Sequence, residues 1–468
     1  MKKTEWSPFE ELNEDFFGSS IFQELTDSIE AESRFTVTYR ILADSYEDAK
    51  DIAFGIAVEQ TVECPYELVE HSWIAERVVG RIEDIKKPSP GVYYATISYS
   101  PEAVGGEFTE FLNMVFGNTS LKPGIRLMSF QLADSQYSEF AGPKFGRRGI
   151  RDACGIESGP IFMSVIKPLG TNARELSEMT KALALGGCPI IKDDHSLCNQ
   201  KYAPFAERVR LCADAVADAN AKTGGHTMYV ANCTADGIAL LERAYLAQDL
   251  GAAGIMVAPG LTGFSLVRQL AEAEDFHLPI FLHPSFSGCF MHGADAGISA
   301  YCYYGQMSRL AGADAVIFTS FGGRFSRTDE ECRRIAEGTE CDMGPMRPIF
   351  PCPAGGMKWE LFPRILDVYG KDTVLLVGGA LQTKGPDLCE NTKFFMEKLR
   401  EAAERVKYFE ILSKLKVGVL ETPTFLCDIF ERADGLRLTA YGFKRCRLWR
   451  RFCFMPPKTA RREAPIKT

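Results

Sequence analysis

The stretch PIFMSVIKPLGTNARELSEMTKALALGGCPIIKDD, residues 160–194, contains the pattern that decides the fold. An apolar run is followed by a segment with apolar residues at helical spacing, and then by a second apolar run. Short apolar runs bounded by Gly and Pro are typical of buried strands, whereas apolar residues three and four apart indicate an amphipathic helix. The stretch therefore predicts a strand, a helix and a second, parallel strand.

The same unit recurs from about Gly159 onward. Each predicted strand is followed by an amphipathic segment, and the eight strands are predicted at residues 160–168, 189–194, 227–234, 254–260, 279–285, 315–320, 347–356 and 373–379. Eight consecutive units over roughly 240 residues are what a TIM (β/α)8 barrel requires, whereas open doubly wound sheets usually have five or six strands. The sequence therefore predicts a TIM barrel.

The segment before the barrel has a different pattern. It predicts a strand at 35–45, a helix at 45–62, paired strands at 76–87 and 91–100, and a second helix at 107–118. Strands and helices in this order favour a small α+β domain of the ferredoxin-like type. We expect an N-terminal domain at residues 1–145, the barrel domain at 146–407, and an unassigned basic extension at 408–468.

Composition excludes several classes of protein. With 53 basic and 62 acidic residues, the chain of 468 residues carries a formal charge of −9, which argues against general nucleic-acid binding. No apolar run reaches the roughly 20 residues needed to span a bilayer, and the acidic beginning does not resemble a signal peptide. The 15 cysteines are scattered singly, as expected for reduced thiols. We therefore expect a cytoplasmic protein that does not bind membranes.

The basic segment from Tyr441 to Thr468 is an exception to the acidic composition. It would suit an anionic surface, but a poorly constrained terminus is the simpler interpretation.

Four polar residues, Lys192, Asp193, Asp194 and His195, follow directly on the second apolar run of the quoted stretch. Because alternate residues of a strand face the same side, Lys192 and Asp194 are predicted to point together at the functional rim of the barrel, and Asp193 to point away. A solvated turn or a structural ion pair would explain the cluster without function. A hard cation held by oxygen ligands would explain why two acids are adjacent.

The segment GGCPIIKDDHSLCNQKYAPFAERV resembles the activation segment of the ribulose bisphosphate carboxylase (RuBisCO) superfamily, whose usual form is Gly-Gly-x-Asp-x-x-Lys-Asp-Asp-Glu. Other motifs agree in order over residues 35 to 400: FGNTSLKPGIRL, GPIFMSVIKPLG, VANCT, FLHPSFSG, PAGG and VGGA. Together these motifs are specific for the superfamily, although each one alone is weak.

The resemblance implies a role for each residue of the cluster. Lys192 would react with CO2 to form a carbamate, and this carbamate would bind Mg2+ together with Asp194 and His195. Lys167, at the end of the first barrel strand, would polarise a carbonyl or transfer a proton, as enolisation of a ketose phosphate requires. A phosphate-binding cation is the alternative role for Lys167. His283 is a third catalytic candidate, with Lys167 and Lys192.

The resemblance also implies a head-to-tail homodimer. Asn118 and Glu59, both in the N-terminal domain, would then reach the active site of the neighbouring subunit. Two glycine pairs at the ends of the seventh and eighth barrel strands would bind a substrate phosphate through their backbone amides, although they could equally be ordinary turns. These residues are Gly355, Gly356, Gly378 and Gly379.

Four departures from the carboxylase pattern bear on function. Leu169 replaces the second lysine of the Lys-Pro-Lys motif, and the loop SFGGRFSR offers Arg324 but no lysine above the incoming CO2. Pro284 replaces an arginine that helps to bind a second phosphate, so a substrate with one phosphate is expected. His195 replaces the third metal-binding glutamate and is a softer donor, so Asp193 or water is left to complete the metal shell.

These departures remove the groups for CO2 addition and retain those for proton abstraction beside a carbonyl. The chain thus resembles a RuBisCO-like protein (type IV). Members of that group are enolases or isomerases of methylthio-pentulose phosphates in methionine salvage, or decarboxylases of phosphorylated oxo acids. The sequence leaves three alternatives open: an enzyme of this kind on a monophosphorylated ketose-like substrate, a catalytically silent binding or regulatory protein, and a residual carboxylase.

Overall fold

The computed structural model describes residues 34–293, 295–324 and 327–415, with side chains up to Val406. Val406 also ends the first of two compact units of the chain. The acidic beginning and the basic segment from Tyr441 lie outside the described residues, as does most of the predicted extension from residue 408.

The N-terminal part of the chain forms an antiparallel sheet covered by helices. The strand order β4-β1-β3-β2 and the two crossing helices α1 and α3 give the ferredoxin-like arrangement that the sequence predicts. Burial alternates along β1, whose apolar side chains face the helices. The elements are β1 (Phe35–Leu42), α1 (Tyr46–Glu59), α2 (Trp73–Arg77), β2 (Arg81–Ser89), β3 (Val92–Tyr99), α3 (Phe108–Phe116), β4 (Ile125–Gln131), α4 (Gln136–Glu139) and α5 (Gly146–Cys154).

The second part of the chain forms a nearly closed, eight-stranded parallel barrel, as predicted. The eight strands lie around the barrel in chain order, with the last strand paired to the first. The barrel is nearly closed between the seventh and eighth strands, where Thr373 Oγ1 donates to the carbonyl of Pro351 at 3.0 Å. The elements up to the fifth barrel strand are β5 (Ile161–Ile166), α6 (Ala173–Leu185), β6 (Ile190–Asp193), α7 (Phe205–Thr223), β7 (Met228–Asn232), α8 (Ala239–Asp249), β8 (Gly254–Val257), α9 (Pro259–Thr262), α10 (Ser265–Glu272) and β9 (Ile280–Leu282).

The remaining elements complete the barrel and its outer helices. They are α11 (Gly288–Met291), β10 (Gly297–Ile298), α12 (Ser308–Leu310), β11 (Ala315–Thr319), α13 (Asp329–Glu340), β12 (Phe350–Ala354), α14 (Phe362–Tyr369), β13 (Val374–Val377), α15 (Gly379–Gln382) and α16 (Leu388–Leu415).

Three local predictions need correction. Helix α2 occupies the start of the strand predicted at 76–87, so this strand begins only at Arg81. Strand β4 was not predicted. The segment 297–312, predicted as one amphipathic helix, instead adds β10 to the edge of β4 and continues as a π-helical turn, Tyr301–Met307, into α12. This segment is buried nearly all round because it packs against both β4 and α13, so it has no solvent-facing stripe.

All twelve cysteines within the described residues are free, as expected for reduced thiols. Among the helices that the structure describes, none is both long enough and apolar enough to cross a membrane.

The carboxylate of Asp314, the residue before β11, forms hydrogen bonds to the starts of α5 and β9 at the amino-terminal end of the barrel. It accepts hydrogen bonds from the backbone N–H groups of Phe145 (2.8 Å), Gly146 (2.6 Å) and Ile280 (2.9 Å), which lie at the starts of α5 and β9. Burial raises the pKa of Asp314 to about 6, although the three N–H donors act in the opposite direction. The side chain therefore satisfies three backbone donors in the interior.

We expect Asp314→Asn to destabilise the protein by about 1–3 kcal/mol, because an amide nitrogen cannot accept the N–H groups that one carboxylate oxygen now accepts. Chemical denaturation followed by circular dichroism would measure the change. The matched control is Asp218→Asn, which removes an exposed carboxylate paired with Lys181 and should leave the midpoint nearly unchanged. Equal midpoints for Asp314→Asn and the wild type would contradict this account.

Candidate active site

Lys192 is a buried lysine at the carboxyl end of the second barrel strand. Its side chain is only 2% exposed, and its Nζ donates to the backbone carbonyl of Asp193 at 2.9 Å. Burial lowers the pKa of Lys192 to about 8, opposed by the charges of Asp194 and Asp193 and assisted by that of Lys167. The structure thus brings Lys192, Asp194 and Lys167 close enough to interact electrostatically, as predicted for the strand ends.

Asp193 faces away from this cluster and is fully buried. Its carboxylate accepts hydrogen bonds from Arg208 Nε (3.2 Å), the Tyr229 hydroxyl (2.7 Å) and the backbone N–H of Asn232 (3.0 Å). Both oxygens are therefore engaged between β6, β7 and α7. Asp193 is not free to complete the metal shell that the resemblance implies.

Arg208 and Asn232 also fix the loop that follows β6. The Arg208 guanidinium donates to three backbone carbonyls of this loop, and the Asn232 amide donates to two, those of His195 (2.9 Å) and Leu197 (3.0 Å). Sequence reasoning missed Arg208. Its signal was an arginine on the buried face of a predicted helix, four residues before the buried Cys212.

Asp194 and His195 are hydrogen-bonded to each other. His195 Nδ1 lies 3.0 Å from Asp194 Oδ1, which also accepts the backbone N–H of Ser196 at 3.1 Å. Burial alone would raise the pKa of Asp194, but the hydrogen bonds from His195 and Ser196, together with the charge of Lys192, hold it well below its usual range. Asp194 is therefore ionised, and the Nε2 atom of His195 remains available to a ligand or a proton.

The ring of His283, from the end of β9, stacks on that of His195. The ring centroids are 4.5 Å apart and the planes differ by 8°. Burial, with the neighbouring Lys192 and His195, lowers the pKa of His283 well below its ordinary value, so the ring is neutral. Its Nδ1 accepts the backbone N–H of Ser285 at 3.2 Å and lies 2.9 Å from the Ser285 hydroxyl oxygen, an arrangement that favours the ring proton on Nε2.

The unmodified side chains of the cluster supply only a partial metal shell. Within residues 34–293, 295–324 and 327–406, no three His, Cys, Asp or Glu side chains are placed to hold one metal ion. Asp194 offers a carboxylate and His195 one ring nitrogen, whereas a protonated Lys192 offers no lone pair. The residues therefore fit Mg2+ only if Lys192 gains oxygen donors.

Gly378 lies close to Lys167, whereas Gly355 and Gly356 lie beside the loop that carries Arg324. A Cβ atom at Gly378 would be 2.8 Å from Val165 Cγ1 and 3.1 Å from Lys167 Nζ, so a larger residue at this position would displace both side chains. Gly355 and Gly356 have φ angles of 94° and 98°, which favour glycine. The Gly355 carbonyl accepts the N–H of Arg324 at 2.9 Å, which joins this turn to the lysine-free loop, although residues 325–326 of that loop lie outside the described residues.

Glu59 and Asn118 lie together on the N-terminal domain. Asn118 Nδ2 donates to Glu59 Oε1 at 3.1 Å, and Lys122 Nζ lies 3.7 Å from Glu59 Oε2. Leu121, at the end of the same short turn, is 82% exposed. The two residues that the resemblance predicts to act together are therefore in direct contact, beside the exposed side chain of Leu121.

Comparison with known proteins identifies relatives along most of the chain. Residues 148–384 match the ribulose bisphosphate carboxylase large chain, catalytic domain. A 5-methylthioribulose-1-phosphate isomerase of Rhodospirillum rubrum is 33% identical over 80% of this chain and 98% of its own length. A 2,3-diketo-5-methylthiopentyl-1-phosphate enolase of Geobacillus kaustophilus is 32% identical over 64% of this chain and 71% of its own length.

A solved structure agrees with these relatives. The crystal structure of a Rubisco-like protein from Rhodopseudomonas palustris superposes with a TM-score of 0.71 and 33% identity, and covers 79% of this chain and 99% of the other.

We expect Arg208→Met to destabilise the protein by about 3–5 kcal/mol, because it leaves the buried Asp193 carboxylate without its counter-charge. Denaturant unfolding would measure this loss. The double variant Asp193→Asn/Arg208→Met removes both charges and should recover part of it. A double variant no more stable than Arg208→Met alone would show that the uncompensated charge is not the cause.

Proposed function

The chain belongs to the ribulose bisphosphate carboxylase large-chain family as one of its RuBisCO-like enzymes, and we propose that it catalyses proton transfer beside a carbonyl. Its substrate is a monophosphorylated ketose-like compound, and the reaction is an isomerisation or enolisation of the methionine-salvage type. Fixation of CO2 on ribulose bisphosphate is not its reaction, because Leu169, Pro284 and the lysine-free loop depart from the carboxylase motifs.

The buried amine of Lys192 is the observation that carries this proposal. A pKa of about 8 leaves an appreciable neutral fraction at neutral pH, and only a neutral amine reacts with CO2 to form a carbamate. The carbamate would place two oxygens beside the Asp194 carboxylate. With His195 Nε2 and water, these groups would hold Mg2+, whose positive charge favours an oxyanion on the substrate.

Lys167 and His283 are placed to handle protons during the reaction. Lys167 Nζ lies at the mouth of the barrel beside Gly378, where it would move the proton next to the substrate carbonyl. The neutral His283 ring, with its proton on Nε2, would donate a hydrogen bond to a substrate hydroxyl. Backbone N–H groups at Gly355, Gly356, Gly378 and Gly379 would bind the single phosphate.

The barrel mouth suits a substrate with one apolar end. Large apolar side chains are exposed on three of its loops: Leu169 (51%) after β5, Leu261 (58%) in α9 and Phe286 (61%) after β9. Phe286 is held at φ 67°, an unfavourable backbone conformation for a bulky residue. The substrates named for the two relatives combine a methylthio group with one phosphate, and we assign this class of compound to the present chain.

We further propose a head-to-tail homodimer in the cytoplasm, with a domain boundary near residue 145. The exposed Leu121, beside the Glu59–Asn118 pair, forms a partly apolar tip that would cover the apolar mouth of the partner's barrel. In this arrangement both polar residues would contact substrate in the neighbouring site.

Lys192→Ala should lower enzymatic exchange of substrate hydrogen with solvent at least about 100-fold while the barrel stays folded, because it removes a reactive group from the rim. Mass spectrometry of 5-methylthioribulose-1-phosphate and 2,3-diketo-5-methylthiopentyl-1-phosphate incubated in D2O with Mg2+ and bicarbonate would measure the exchange. The exposed, ion-paired Lys181→Ala is the control and should retain the wild-type rate. Exchange at the wild-type rate in Lys192→Ala would show that the cluster is only a structural ion pair. A wild-type protein that exchanges neither compound would favour the catalytically silent alternative.

His195→Glu should bind Mg2+ more tightly than the wild type, because it replaces a nitrogen donor with an oxygen donor. Calorimetric titration of Mg2+ with bicarbonate present, together with the exchange rate, would test this expectation. If His195 is instead a proton carrier oriented by Asp194, Mg2+ affinity will not change and turnover will collapse. That pair of results would eliminate His195 as a metal ligand.

A further inference from the structure

A cavity of about 980 Å3 lies apart from the active-site cluster. One wall is the outer face of the N-terminal sheet, with Arg40, Tyr94 and Arg126, and the opposite wall is helix α13. Its volume is at the upper end of the range for small-molecule sites. None of the candidate active-site residues lines it, so it requires a separate explanation.

Three arginines of this cavity carry positive charge that carboxylates neutralise poorly. Arg40 Nη1 is buried and has no hydrogen-bond acceptor among the described residues, and Nη2 lies 3.5 Å from the exposed carboxylate of Asp295. Arg126 donates to backbone carbonyls, and Arg327 Nε donates to Thr319 Oγ1 at 3.1 Å. Within the part of the chain that the structure describes, neither Arg126 nor Arg327 forms an ion pair with a carboxylate.

Four glutamates also line the cavity, and three of them are paired with arginines other than Arg40, Arg126 and Arg327. Glu331, the third residue of α13, accepts the backbone N–H of the N-cap residue Thr328 at 2.8 Å. It keeps its negative charge, which opposes the lowering of the Arg126 pKa by burial and by the charges of Arg40 and Arg327. The other three form ion pairs with further arginines: Glu330 with Arg333 (3.8 Å), Glu337 with Arg334 (2.9 Å) and Glu340 with Arg147 (2.7 Å). Three guanidinium groups therefore face two carboxylates, Glu331 and Asp295, and one positive charge remains in excess near Arg40, Arg126 and Arg327.

We propose that this cavity binds a small phosphorylated metabolite, with its phosphate at Arg40 and Arg327. Guanidinium groups bind phosphate oxygens through paired, charge-assisted hydrogen bonds. Arg40 Nη1, which is buried and without an acceptor in this conformation, would gain one when the side chain turns toward the phosphate. The remainder of the ligand would contact Tyr94, Met128 and Tyr301, which also line the cavity.

The site is connected to the barrel through Arg327. This residue follows the lysine-free loop, and its hydrogen bond to Thr319 attaches it to the carboxyl end of β11. A phosphate bound to Arg327 would therefore act, through the hydrogen bond to Thr319, on the end of β11, where the loop begins.

Isothermal titration with inorganic phosphate would test the proposal on the full chain. We expect saturable binding by the wild type and an affinity at least about 10-fold lower for Arg40→Gln, which loses the charged donor. Arg327→Gln, which removes the second guanidinium proposed to bind the phosphate, should weaken binding in the same direction. The matched control is Arg210→Gln, whose exposed guanidinium is paired with Asp214 outside the cavity and which should bind as the wild type does.

Because the active site is also expected to bind phosphate, Lys167→Met is titrated in parallel. The proposal requires that the phosphate binding abolished or weakened in Arg40→Gln is still measured in Lys167→Met. It is overturned if Arg40→Gln and Arg327→Gln both bind as the wild type does, if Lys167→Met loses all binding, or if the wild type shows no saturable binding up to about 10 mM phosphate.

Discussion

The buried ion pair between Asp193 and Arg208 is the constraint on which the active site depends. Both side chains are fully enclosed, and their nitrogen and oxygen atoms are 3.2 Å apart. Since removing two charges from water is costly, this pair is stable only with further hydrogen bonds, which Tyr229 and the backbone supply. The pair fixes the direction of Asp193, and the alternation of a strand then directs Lys192 and Asp194 to the opposite side.

The functional proposal follows from this orientation. Lys192 is enclosed at the mouth of the barrel, and no carboxylate of the described residues forms an ion pair with it, so burial dominates its pKa. Asp194 stays ionised because His195 and Ser196 donate to it. The lowered pKa of Lys192, beside an ionised carboxylate, suits the carbamate that we propose for this residue. The departures from the carboxylase motifs, at Leu169, Pro284 and the loop of Arg324, follow other strands of the barrel. They therefore leave the arrangement around Lys192 unchanged.

Much of the fold could be predicted from the sequence, because each buried barrel strand is a short apolar run between turn residues. Strand β10 and the π-helical turn could not, because only packing against β4 and α13 makes that segment buried all round. In the site, the opposite directions of Lys192 and Asp193 follow from alternation alone. The partner of Asp193 does not, because Arg208 is 15 residues away on a helix whose rotation only the folded structure defines. The roles of Asn118 and Glu59 came from family resemblance, and their hydrogen bond places them together.

The most direct test of the central claim is a crystal structure of the protein grown with Mg2+ and bicarbonate. The account predicts a carbamate on Lys192 Nζ, a cation between it and Asp194, and the Asp193 carboxylate still enclosed by Arg208, Tyr229 and Asn232. An unmodified Lys192 donating to the Asp193 carbonyl with no cation beside Asp194, or an Asp193 carboxylate turned into the barrel mouth, would contradict it.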